Sequence, residues 1–170
     1  EHLFRPGMNV ADLGSAPGSW TQIVRERLTD KNGELKGRII AMDILPMEPI
    51  DGVTFLQGDF REQEVADKLN EILGGDKLDV VISDMAPNLS GIAMVDANAS
   101  LLLNELALDF AVEHLKPEGV FVTKAFQGSG YSQFIENCKK HFVSVAQRKP
   151  EASRNSSAEM YVVARRLKNK

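Results

Sequence analysis

The sequence predicts an α/β fold: a mostly parallel seven-stranded sheet with helices on both faces and an antiparallel edge. Three observations lead there. Short apolar, β-branched runs alternate with helical stretches from residue 8 to about residue 140, the pattern of βαβ units. The stretch Val10-Ala-Asp-Leu-Gly14-Ser-Ala-Pro-Gly18-Ser-Trp20 reads as a buried strand, a glycine turn and a helix start, the arrangement from which doubly wound folds build a nucleotide pocket. Finally, the runs 142–148 and 159–165 are separated by a polar loop with no helical pattern, so they can pair antiparallel.

Taken in order, Phe4-Arg-Pro-Gly7 is a turn into a first strand at about 8–13. A helix over 19–29 follows, with Ser19 as its cap and Ile23, Val24 and Leu28 among its apolar positions, and Asp30-Lys-Asn-Gly33 breaks it. Residues 37–43 form the second strand, ending in Asp43, and Val53–Leu56 a short third one, with Asp59 just beyond. A helix over 62–73 stops at Gly74-Gly75, and 78–83 is an apolar strand ending at Asp84. Residues 85–97 read as a loop, and 98–115 as a helix with Leu102, Leu106, Phe110 and Leu115 on its apolar stripe, ending before Pro117-Glu-Gly119. Val120–Thr123 is the fifth strand and delivers Lys124, and a helix over 131–140 precedes the final strand pair.

A chain of 170 residues can bury one real core, so a single domain over 1–170 is expected. No apolar run approaches the length of a membrane span, and no signal-peptide pattern is read in these residues. The only cysteine, Cys138, excludes an internal disulfide and reads as a helix packing residue. It suits a reducing compartment, hence a cytoplasmic expectation. His2, His114 and His141 have no metal-ligand spacing, so no metal is expected. The net charge of −4 argues weakly against nucleic acid, but its distribution argues for it. Residues 138–170 carry nine Lys/Arg against Glu151 and Glu159, a net +7, while the rest is −11. Such asymmetry predicts one basic face turned to a polyanion, although 165–170 alone reads as a solvated tail.

The glycine loop is G-x-x-x-G with a proline inside. It matches neither the dinucleotide fingerprint nor a P-loop, and it suits a cofactor without a pyrophosphate, such as S-adenosylmethionine. In these sheets ligands bind beyond the C-terminal strand ends, where the 14–20 loop, Asp43, Asp59, Asp84 and Lys124 collect. Asp43 can accept from a ribose diol and Asp59 from an adenine amino group. A lysine ending an apolar strand is costly unless paired or exposed, so Lys124 is expected to meet Asp84, either in a plain structural ion pair or in a catalytic group. Glu159 can join them if its strand lies nearby.

Asp12-Leu-Gly-Ser-Ala-Pro-Gly-Ser-Trp20, Met42-Asp-Ile-Leu-Pro46, Gly58-Asp-Phe60, Ser83-Asp-Met-Ala-Pro-Asn88, Lys124-Ala-Phe-Gln-Gly128 and Lys149-Pro-Glu-Ala-Ser-Arg154 together resemble the FtsJ/RrmJ family of ribose 2′-O-methyltransferases. The likeness covers essentially the whole chain in order and is nearest to the bacterial type acting on a uridine of large-subunit ribosomal RNA. It implies a Rossmann-like S-adenosylmethionine-dependent methyltransferase fold, with cofactor at Gly14, Gly18, Trp20, Asp43, Asp59 and Asp84. It further implies a Lys-Asp-Lys-Glu tetrad, of which Asp84, Lys124 and Glu159 match three members. The family's first lysine sits in a helix before the strand of 8–13, ahead of Glu1, and Lys36, entering the second strand, does not replace it. An N-terminal segment is therefore expected to be missing, and the chain to bind cofactor better than it transfers methyl.

A sulfonium methyl is already electrophilic, so the demands are in-line positioning and loss of the hydroxyl proton. Lys124 is the candidate base, yet carboxylates beside a lysine favour its ammonium form; the alternative is a charged Lys124 that orients the acceptor oxygen. Phe126 and Tyr131, in the 125–131 loop, are candidates to stack on the acceptor base together with the 85–97 loop, or else core residues. RNA is expected across the 149–158 loop through Lys149 and Arg154, the partner being ribosomal RNA in the large subunit and the protein a monomer. A mitochondrial setting applies to a eukaryotic relative. The competing reading is a non-catalytic RNA-binding or ribosome-assembly module that keeps the fold.

Overall fold

The computed structural model describes residues 3–14, 18–59, 61–85, 92–128, 130–149 and 159–168. Seven strands and four helices alternate as β1 (Asn9–Leu13), α1 (Ser19–Leu28), β2 (Arg38–Asp43), β3 (Thr54–Gln57), α2 (Gln63–Leu73), β4 (Leu78–Ser83), α3 (Ala93–His114), β5 (Leu115–Phe126), α4 (Tyr131–His141), β6 (Phe142–Arg148) and β7 (Glu159–Leu167). They form one seven-stranded sheet in the order β3-β2-β1-β4-β5-β7-β6. The chain divides into two compact units, Glu1–Ile82 and Ser83–Lys170.

In the first unit β1 pairs parallel with β2, and β2 with β3. The strand interiors are uniformly apolar because both faces are covered; Val10, Ile39, Val80 and Ile82 meet Val24 and Leu28 of α1 in one buried cluster. The helix is seated differently from the sequence expectation. Ile23 is exposed, and Thr21 takes the inward position with Val24 and Leu28. Thr21 can be buried because its Oγ1 donates to Asp12 Oδ2 at 2.7 Å. The N-cap is Gly18, with φ 115°, and not Ser19, which is the first helical residue. In α2, Val65, Leu69 and Leu73 form a regular buried stripe that ends at Gly74 with φ 58°. Gly37, with φ 112°, cannot carry a side chain, because a Cβ there would meet the Met8 carbonyl oxygen at 2.2 Å.

In the second unit α3 packs on β5, and α4 on β6 and β7. β7 runs antiparallel to both β5 and β6, so β6, which ends the sheet on that side, runs in the same direction as β5. Two expectations about α3 and β5 are corrected. The helix begins at Ala93, not at about residue 98, and ends at His114, so Leu115 opens the strand. Pro117-Glu-Gly119 is extended chain within β5, ahead of its first pairing with β7 at Val120. Early strand positions tolerate a proline because no ladder donor is needed there. The buried residues of α3 include Ser100, Asn104, Ala107, Leu108, Phe110, Ala111 and His114; of the expected stripe, Phe110 is buried and so is Leu115 just past the helix, while Leu102 is 56% exposed. The helix is apolar nearly all round, so its spacing alone did not settle which side faces inward.

Candidate active site

Three strand ends of the first unit are tied abreast. Gly14 N–H donates to the Met42 carbonyl and Gly58 N–H to the Asp43 carbonyl, both at 2.8 Å. Gly14 and Gly58 take φ values of 70° and 149°, which suit glycine. Asp43 ends β2 half-buried, with Oδ1 accepting from Leu45 N–H at 3.0 Å. Trp20 is half-buried in the first turn of α1. At Gly18 the backbone runs close under the 47–50 loop, where an added Cβ would stand 3.1 Å from Ile50 Cδ1 and 3.3 Å from Met47 Sδ.

Asp59 is engaged more fully than its sequence position suggested. Arg61 donates to Asp59 Oδ1 from its backbone N–H and its Nε, each at 2.9 Å, and Nη2 closes on Oδ2. This hydrogen bonding holds the Asp59 carboxyl below the usual carboxylate range, against a smaller opposing effect of burial. Arg61 drew no attention in the sequence, where it looks like any exposed cation before a helix.

In the second unit Lys124 Nζ lies 2.8 Å from Asp84 Oδ1, with both side chains largely shielded. Apart from this ion pair, Oδ1 takes no hydrogen bond although it is closed to solvent. The ladder pairs Lys124 with Tyr161 and Phe126 with Glu159. Directly opposed residues share a face, as do residues two apart, so Lys124, Phe126, Glu159 and Tyr161 stand on one side of the sheet. Lys124 Nζ sits over the Phe126 ring, 5.8 Å from its centroid. The Tyr161 hydroxyl is pushed up to about 12, first by burial and then by the charges of Asp84 and Glu159. Asp84, Lys124 and Glu159 are thus brought together around Tyr161, a residue that the sequence analysis did not single out. The signal was present: in a strand beginning at Glu159, position 161 shares its face.

Of the remaining expected residues, Phe126 is 40% exposed, and Tyr131 donates its hydroxyl to Gln147 Oε1 at 2.6 Å. Both line a hollow of about 40 Å³ with Ser100, Asn104, Gln127 and Gly128, room for a water rather than a base. Cys138 is buried, and burial raises its thiol to about 12, so it is the packing residue expected. Lys149 is exposed just after β6. Ser15–Pro17, Phe60, residues 86–91 and the 150–158 loop with Arg154 lie outside the described residues, as does the Ser19 side chain.

The FtsJ-like methyltransferase family matches residues 1–167. The chain belongs to that family. This FtsJ-like chain is 54% identical over 169 residues to ribosomal RNA large subunit methyltransferase E of Bordetella petrii, spanning 99% of this chain and 80% of the relative. It is 52% identical over 176 residues to the protein of that name from Cupriavidus necator, with the same shares covered. Among solved structures, a ribosomal RNA methyltransferase from Plasmodium falciparum superposes with a TM-score of 0.82 at 30% identity, covering 96% of this chain and 88% of that one. Human methyltransferase-like protein 13, in complex with SAH, superposes at 0.66 with 16% identity, covering 96% and 77%, a likeness of fold alone. The FtsJ-like chain is therefore a methyltransferase with the Rossmann-like fold expected.

Proposed function

We propose that this methyltransferase transfers a methyl group from S-adenosylmethionine to the 2′-hydroxyl of a uridine ribose in large-subunit ribosomal RNA. The names of its relatives supply the RNA. The observation that carries the chemistry is the Lys124–Asp84 ion pair, with Tyr161 and Glu159 beside it on one face.

The residues present fit the cofactor. Gly14 takes a φ of 70° where β1 ends, a turn that glycine makes readily and that bends the chain toward α1, and a half-buried carboxylate ends β2. Asp43 would hold the ribose diol, Asp59 the adenine amino group, and Gly14, Gly18 and Trp20 the remainder, with Asp84 facing the methionine end. Bound S-adenosylmethionine supplies an electrophilic methyl. Lys124, held in place by its 2.8 Å pair with Asp84, donates to the acceptor oxygen and points a lone pair along the line of transfer. Glu159 and the neutral Tyr161 phenol fix the Lys124 head in that direction. As the O–C bond would form at the expense of the sulfonium S–C bond, the hydroxyl proton would become acidic and pass to solvent water. Positioning of this kind accounts for most of the acceleration that such a reaction requires.

Lys149 and Arg154 would contact phosphates beside the acceptor. Among the described residues no helix is long and apolar enough to cross a membrane, and a monomer working in the cytoplasm suits the reading. The test is tritium-methyl transfer to large ribosomal subunits, followed by mapping of the modified ribose. Label at a single uridine 2′-oxygen is the expected result. Label on a base, or RNA binding with no transfer, overturns the reading, the latter in favour of a non-catalytic assembly module.

A further inference from the structure

β7 carries two chemistries at its two ends. Glu159 begins it opposite Phe126, at the site just described, while Arg165 pairs with Val120 and Ser144 at the other end. Six residues of strand separate them, about 20 Å. β7 continues to Leu167, so Arg165 and Arg166 belong to the sheet and not to a solvated tail. Lys168 N–H donates to the His141 carbonyl at 2.8 Å, which fastens this end of β7 to the last turn of α4, where Lys139, Lys140 and His141 lie.

Arg165, Arg166, Lys168, Lys139 and Lys140 are all exposed. Lys139 is paired with Glu136 at 3.7 Å. Among the described residues no ion pair engages Lys140, Arg165, Arg166 or Lys168. The acids at this end are Glu136 on α4, Glu113 at the end of α3 and Glu118 early in β5. Arg166 is also the one described non-glycine residue with positive φ, at 63°, a backbone state that side-chain-bearing residues rarely adopt. Unpaired cations fixed on a rigid strand and a helix end, on a chain that is otherwise acidic, have an electrostatic cost that a bound polyanion removes.

We propose that this cluster is a second RNA-docking surface, which grips phosphates of the substrate about 20 Å from the modified ribose. It rests on the reading of RNA as substrate and adds to it a requirement for RNA beyond the acceptor nucleotide and its immediate neighbours. Phosphate contacts position a nucleic acid without reading its sequence, so the surface sets affinity and register rather than choice of nucleotide.

The test compares the unaltered chain with K140Q/R165Q/R166Q/K168Q on two RNAs: a short oligonucleotide carrying the modified uridine and a longer ribosomal RNA fragment containing it. Filter binding across a salt series is read alongside methyl transfer. The expected result is affinity lost on the long fragment only, with the slope of log K against log salt shallower by roughly two to four, near one unit per lost phosphate contact. Single-turnover rate at saturating RNA stays unchanged. R166G guards against misfolding, since glycine accepts that φ without strain, and it is expected to lower the slope by about one. Equal slopes on the long fragment overturn the proposal, as does equal loss on both RNAs. Loss on intact subunits with none on naked RNA also overturns it, in favour of a ribosomal protein. If the unaltered chain binds these RNAs but methylates none of them, the functional reading fails while the binding comparison still decides the docking surface.

Discussion

Lys124 on β5 and Tyr161 on β7 face each other across an antiparallel ladder, and burial, followed by the charges of Asp84 and Glu159, raises the ionisation of the phenol to about 12. The consequence is a hydroxyl that stays protonated, and a hydrogen-bond donor, over the whole physiological range. The chain has two tyrosines, and burial raises the other, Tyr131, as well. Absorbance titration at alkaline pH is therefore expected to show both ionising above the ordinary value of about 10, and Tyr161→Phe to remove the later of the two phases. Because the folded value lies above the unfolded one, this contribution to stability is complete below about pH 10 and is lost as pH rises through about 12. A titration in which both phenols ionise normally in the folded protein would contradict the packing around Tyr161.

Lys124→Ala is expected to lower methyl transfer by about 10²–10⁴ while leaving cofactor affinity nearly unchanged. Asp84→Asn should weaken transfer as well, since it replaces the carboxylate that Lys124 Nζ meets at 2.8 Å with an amide. Single-turnover kinetics with calorimetry on the same samples separates the two effects. Near-normal turnover by Lys124→Ala would reduce the pair to a structural ion pair.

Trp20 is the sole tryptophan, and its indole is half-buried at the start of α1. Its fluorescence is expected to change on titration with S-adenosylmethionine. Asp43→Ala removes a charged acceptor worth roughly 1.5–3 kcal/mol, so binding should weaken about ten- to a hundred-fold. Unchanged fluorescence together with no calorimetric heat would refute the cofactor assignment.

The orientation of α3 is open to a direct stability measurement. Leu102→Lys is expected to change unfolding free energy by no more than about 0.5 kcal/mol, because that side chain is exposed. Leu108→Ala should cost about 2–5 kcal/mol, because Leu108 is 2% exposed and a cavity replaces it. Denaturant unfolding of the two variants with equal losses would mean that the helix packs by the stripe read from its sequence.

That stripe also shows where the sequence was legible and where it was not. Apart from β5, strand ends could be placed to within a residue or two because short apolar runs ended at glycines and acids: Asp43, Gly74 and Asp84 stand where their runs predicted. α3 was harder, since Leu102 and Leu108 are equally apolar and only the sheet beneath distinguishes them. At the site, Asp84 and Lys124 were legible as charges terminating apolar strands. Tyr161 was not, because its role comes from the ladder that seats it opposite Lys124. Arg61 was missed for a related reason: nothing in the order Gly58-Asp-Phe-Arg61 states that the guanidinium folds back on Asp59.

The order of the last three strands bears on how the molecule is made. A ribosome releases β5, then β6, then β7, yet in the sheet β7 separates the other two. β6 therefore emerges with no strand to pair with, and α4 must hold it until its neighbour is synthesised. Glu159 and Tyr161 arrive on that same late strand, so neither is in place around Lys124 until the sheet is closed. Nascent chains arrested before residue 159 are expected to expose the edge of β5 to chaperones and to carry no methyl-transfer activity. The step that completes the fold is also the step that turns the enzyme on.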